Sequence, residues 1–135
     1  IEPQGLRLYE KAIKSAGIDY WADLDVRTYI NFEDFLEKNP GVKIYMATTK
    51  APKVYTEVQY EPDCYIMFGK ESAGIPEEIL VNHKEDCVRI PMVGDIRSLI
   101  LGISVAIILY DALRQQNFAH MNLEGHLHRL HWKSE

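Results

Sequence analysis

Apolar residues recur at helical spacing over residues 6–16, at Leu6, Tyr9, Ala12, Ile13 and Ala16, with Gly17 placed to end the helix in a left-handed conformation. Asn31 stands where it can cap a second, shorter helix carrying Phe32, Phe35 and Leu36, which Asn39-Pro40-Gly41 terminates. A strand is expected over residues 42–47. Residues 64–68 run apolar without polar alternation, the pattern of a strand buried on both faces of a parallel sheet, and Gly69 breaks the run. Pro76-Glu77-Glu78 has the character of a first helical turn, with proline's preset φ and carboxylates where the helix dipole favours them. Residues 87–90 form one more short strand, closed by Pro91.

Ser98 is a suitable N-cap for a last long helix over residues 99–116, whose first three turns are apolar on nearly every side apart from Gly102 and Ser104. Such a helix is expected to be buried all round. In a chain of this size that burial points to a partner subunit, hence a homodimer built on residues 99–116; a central helix in a monomer is the alternative. Strands alternating with helices, without internal repeats, predict an α/β fold with a mostly parallel sheet flanked by helices.

With 135 residues, 47% of them hydrophobic, the chain suits a single domain over 1–135. A formal charge of −5 excludes nucleic-acid binding through overall basicity, so any RNA contact must be local. Cys64 and Cys87 form no CxxC pair, and both fall in strand cores, which suits a reducing cytoplasm and argues against a thiol nucleophile. The longest nearly unbroken apolar run, over residues 99–110, is too short for a bilayer, so no membrane partner is expected. Ile1-Glu2-Pro3 reads like the end of a buried strand, and a preceding strand and loop are expected upstream of it.

Dinucleotide, P-loop and metalloprotease fingerprints are missing. Three strand-to-loop junctions remain as ligand-site candidates: Ala47-Thr48-Thr49-Lys50, FGKESAGIP over residues 68–76, and RIPMVGDIRS over residues 89–98. The latter two, followed by SVAIILYDALRQ over residues 104–115, resemble the second and third motifs of the SPOUT superfamily. The resemblance is closest to small single-domain enzymes that methylate the 2′-hydroxyl of the wobble nucleotide in tRNA. IEPQG at residues 1–5, AGIDYW at 16–21 and ATTK at 47–50 fall where that subgroup has similar segments, so coverage runs from Ile1 to about Phe118.

The resemblance implies an AdoMet-dependent tRNA 2′-O-ribose methyltransferase whose sheet ends in a C-terminal deep trefoil knot. The family's cofactor contacts fall on Ala47, Gly69, Ile90 and Ser98, and its activity-associated residues on Glu71 and Tyr110. A loop carboxylate such as Glu71 can orient a hydroxyl or assist proton transfer, although solvated loop Glu and core Tyr are the ordinary explanations. Local cations for tRNA are Arg7, Lys11, Lys14 and Lys53 and, adjoining the cofactor loops, Lys50, Lys70 and Arg97. The tail over residues 119–135 carries His120, His126, His128 and His131, spaced too irregularly to imply a metal; a solvated or partner-docked tail is expected.

Two departures from the family stand out. The Arg most often assigned the proton-handling role lies in an N-terminal loop that would precede Ile1. Ile100 and Ile103 replace amides that usually follow the Ser-Leu pair, and Gly102 replaces a common Ser. They motivate an alternative, a module that keeps the fold and binds RNA or AdoMet without turnover. An unrelated nucleotide-binding α/β domain is a third reading.

Overall fold

In this computed structural model, residues 25–69, 73–94 and 101–133 are described, and the chain divides into two compact units, Ile1–Lys43 and Ile44–Glu135. The helix expected over residues 6–16 lies outside the described residues.

The described part of the first unit contains α1, Phe32–Lys38. Its N-terminus is satisfied reciprocally: Asn31 Oδ1 accepts from the Asp34 N–H at 2.8 Å, and the Asp34 carboxylate accepts from the Ile30 N–H at 3.0 Å. That backbone bond holds Asp34 below the usual carboxylate range. Phe35 is the buried residue of the helix, with the Tyr29 ring edge-on at 5.0 Å. Asn39 ends the helix by donating its backbone N–H and its side-chain amide to the Phe35 carbonyl, both at 3.0 Å. The cap and the stop therefore sit where the sequence places them.

The second unit is built on three parallel strands, β1 Ile44–Ala47, β2 Tyr65–Met67 and β3 Cys87–Val88, in the order β2-β1-β3. Met46 of β1 pairs with Met67 on one side and Cys87 on the other, and Ala47 pairs with Val88. The first strand starts at Ile44 rather than residue 42. Burial on both faces belongs to β1, whose Ile44, Tyr45 and Met46 are all buried; β2 corrects the expectation. It is an edge strand among the described residues, so Tyr65 stays 41% exposed. Pairing of β3 with β1 stops at Val88, and Arg89 turns to the segment after β1, taking Lys53 O at 2.9 Å and receiving Tyr55 N–H at 2.8 Å.

The core gathers Tyr45, Tyr60, Val88, Ile108 and Ala112. The rings of Tyr45 and Tyr60 meet edge-on at 4.8 Å, while the Tyr60 hydroxyl donates to Tyr55 O at 2.7 Å and the Tyr45 hydroxyl to Gln59 O at 3.1 Å. Burial pushes the Tyr60 hydroxyl pKa up, which keeps it a neutral donor. α2, Glu77–Leu80, starts after Pro76 and buries Leu80. α3, Leu101–Gln115, inserts Ile108 and Ala112, one turn apart. Within the single chain one stripe of the helix faces the core, and Ile103, Leu109 and Tyr110 are left exposed. Asn117, Phe118 and His120 take left-handed φ values, and Phe118 N–H reaches back to Leu113 O at 2.9 Å, which ends α3 without a glycine. Residues 122–133 form neither helix nor strand. Among the described residues no helix is long and apolar enough to cross a membrane.

Candidate functional site

Parallel strands deliver the loops that follow them to one edge of the sheet, and here those loops begin at Thr48, Phe68 and Arg89. Thr48 shapes the first: its N–H donates to Val88 O at 2.9 Å, and its Oγ1 accepts from the Lys50 N–H at 3.2 Å. Ala47 is thereby pinned beside β3, half-buried. After β2, Gly69 takes φ +122°, a conformation that disfavours any side chain, although an added Cβ would meet nothing within 4 Å. Space beside Gly69 is therefore open. Ala47, Phe68 and Ile90 are partly buried and pack on the core cluster, giving the edge an apolar floor.

Three of the expected cofactor contacts, Ala47, Gly69 and Ile90, are thus delivered to one edge by successive parallel strands. Ser98, together with Lys70, Glu71 and Arg97, lies outside the described residues. Tyr110 is on α3 and 53% exposed, so core packing, the ordinary role of an aromatic in an apolar helix, does not describe it in the single chain. Lys50 reaches Glu77 at 3.4 Å in an exposed pair, worth about 0–1 kcal/mol, so its ammonium remains available to another anion. Both residues line a groove of about 380 Å³ floored by Ala51, Leu80 and Cys87.

Lys53 has a different role. Its ammonium bonds to the Glu85 carboxylate at 3.0 Å and to Glu85 O at 3.2 Å, which holds Glu85 below its ordinary pKa and ties the chain after β1 to the turn before β3. Cys87 is buried with its thiol donating to His83 O at 3.2 Å; burial raises the pKa of both Cys87 and Cys64, the reverse of what a nucleophile needs.

Sequence reasoning passed over Thr48, whose signal was a hydroxyl residue directly after an apolar strand, where a side-chain turn forms. It also passed over Gln115. That side chain donates to Val58 O at 2.9 Å, accepts from Tyr60 N–H at 2.8 Å, and fixes the far end of α3.

The chain is similar to known proteins over most of its length. The SpoU rRNA Methylase family is matched over residues 1–110. A Listeria monocytogenes protein is 41% identical over 121 residues, covering 87% of this chain and 72% of its own. An Aeromonas hydrophila protein named tRNA (cytidine(34)-2'-O)-methyltransferase is 37% identical over 120 residues, covering 88% of this chain and 77% of its own. A solved structure described as giving structural insights into the 2-OH methylation of C/U34 on tRNA is similar with a TM-score of 0.77 at 36% identity, over 87% of this chain and 72% of that one. An AdoMet-bound rRNA methyltransferase from Sinorhizobium meliloti is similar with a TM-score of 0.54 at 30% identity, over 63% of this chain and 33% of that one.

Proposed function

The chain belongs to the SpoU rRNA methylase family, and on that premise we propose that it transfers the methyl group of AdoMet to the ribose 2′-hydroxyl of the wobble nucleotide of tRNA. The observation that carries the reading is the gathering of Ala47, Gly69 and Ile90 at one edge of a parallel sheet, within the loops through which the chain resembles its relatives.

These residues fit the cofactor. Ala47, Phe68 and Ile90 supply an apolar surface for the adenosine part of a sulfonium-bearing nucleoside, and the glycine conformation at 69 leaves room for a ligand to approach the backbone. When bound, AdoMet supplies an electrophilic methyl group on sulfur. What remains for the protein is to hold the ribose hydroxyl in line at near-attack distance and to manage its proton. Glu71 is assigned to orient that hydroxyl, with Tyr110 acting from α3 and Ser98 completing the cofactor loops. Lys50, Lys70 and Arg97 are assigned to RNA phosphates around the site, the local cations that a chain of net charge −5 requires.

Three further parts of the reading follow from the same resemblance. The C-terminal part of the sheet is threaded into a deep trefoil knot. Two copies pair through α3, a pairing supported by the exposure of Ile103, Leu109 and Tyr110 along one helix. The enzyme, a single domain, works in the cytoplasm, where tRNA is available and free thiols persist.

Incubation with methyl-labelled AdoMet and bulk tRNA, followed by digestion to nucleosides, tests the activity. Label in a 2′-O-methyl pyrimidine nucleoside is expected. AdoMet binding without any label in RNA would contradict turnover and leave a binding module.

A further inference from the structure

The matched family region ends at residue 110, and the chain continues past α3 into a segment that the methyl-transfer reading leaves without a role. Four of the five histidines, His120, His126, His128 and His131, and one of the two tryptophans, Trp132, fall there. Between Gly125 and Lys133 there is no carboxylate, although the whole chain has 20; the same stretch holds Arg129 and Lys133 as fixed cations. Every residue from 122 to 133 is exposed, Trp132 at 71%. Among the described residues no grouping of His, Cys, Asp and Glu could hold a metal ion.

Cations interleaved with exposed flat rings in a segment without helix or strand match the chemistry of unpaired RNA. Bases stack on aromatic faces, and the phosphates between them meet Arg and Lys. Because the body of the protein is acidic, affinity for RNA has to come from such local segments. Resting on the methyltransferase reading above, we propose that residues 126–133 form an RNA-anchoring strap that grips unpaired nucleotides of the substrate, with Trp132 as the stacking platform and Arg129 and Lys133 as phosphate contacts.

The chain that leads to the strap leaves the end of α3 that Gln115 ties to Val58 and Tyr60, about 22 Å along the helix from its start. The strap carries none of the residues assigned to the cofactor or to the reacting hydroxyl. Contacts of that kind bind ground state and transition state alike, so their loss appears in KM rather than in kcat.

The test uses the full chain and two labelled RNAs, a hairpin with an unpaired loop carrying the wobble cytidine and a fully paired duplex of equal length. Trp132→Ala is expected to weaken hairpin binding about tenfold and raise KM in proportion, with duplex binding and AdoMet affinity unchanged. Trp132→Phe, which keeps a stacking ring, is expected to restore most of the affinity. The double variant Arg129→Ala/Lys133→Ala is expected to reduce the slope of log affinity against log salt by about 1.4. Unchanged hairpin affinity in Trp132→Ala would overturn the strap while leaving methyl transfer intact. A loss that accompanies conversion of dimer to monomer in sedimentation would also overturn it, since the tail would then dock on a second copy. Failure of the unaltered protein to bind or methylate the hairpin would overturn the methyltransferase reading and the strap together.

Discussion

Gln115, on the last turn of α3, accepts the backbone N–H of Tyr60 at 2.8 Å through Oε1, and its Nε2 donates to Val58 O at 2.9 Å. One side-chain amide thus serves the 58–60 segment as a neighbouring strand would. The same segment carries Gln59 O, the acceptor for Tyr45, so α3 and β1 are joined through three residues of loop.

Gln115→Ala leaves a donor and an acceptor without these partners in a partly buried setting, at an expected cost of about 1–3 kcal/mol. Equilibrium urea unfolding checks this: the midpoint falls while the slope is retained. An unchanged midpoint would mean that solvent replaces the amide at no cost.

Gly69→Ala forces an L side chain to φ +122°, with strain of about 1–3 kcal/mol. Because space beside Gly69 is open, the expected damage is a reoriented loop rather than a clash. Calorimetric titration should show at least tenfold weaker AdoMet binding in a protein that still melts cooperatively. Wild-type affinity would remove Gly69 from the cofactor site.

Ile103 is 47% exposed on α3 and lies two turns from Tyr110 on the same helix face. Ile103→Asp places a charge on the proposed dimer surface without disturbing the core stripe of Ile108 and Ala112. Sedimentation at micromolar concentration should show monomer; a persistent dimer would move the interface elsewhere.

Burial raises the thiol pKa of Cys64 and Cys87, so at pH 8.5 the thiolate fraction of each is below that of a free cysteine. Iodoacetamide should therefore modify the native protein slowly, with a rate that rises with pH later than for a model thiol. Unfolding in urea should restore the ordinary profile. Rapid native modification would contradict the buried setting of Cys87.

Much of the architecture was legible in local chemistry. Asn31, Asn39 and Pro76 mark helix ends because caps and proline constraints act over a few residues, and each end is found there. Apolar runs located the strands but not their places in the sheet: β1 is central and β2 an edge because of which neighbours they pair with, which the composition of residues 64–68 does not encode. For the same reason α3, apolar on nearly every side, did not reveal which stripe faces inward. Motif resemblance pointed to Ala47, Gly69 and Ile90 as candidates, whereas Thr48 and Gln115 act through hydrogen bonds to backbone distant in sequence.

The proposed reaction is defined by the chemical group that accepts the methyl. Two otherwise identical tRNAs should be compared with methyl-labelled AdoMet, one with a ribose and one with a 2′-deoxyribose at the wobble nucleotide. Label is expected in the first and none above background in the second. Equal incorporation into both would contradict 2′-O-methylation at that position.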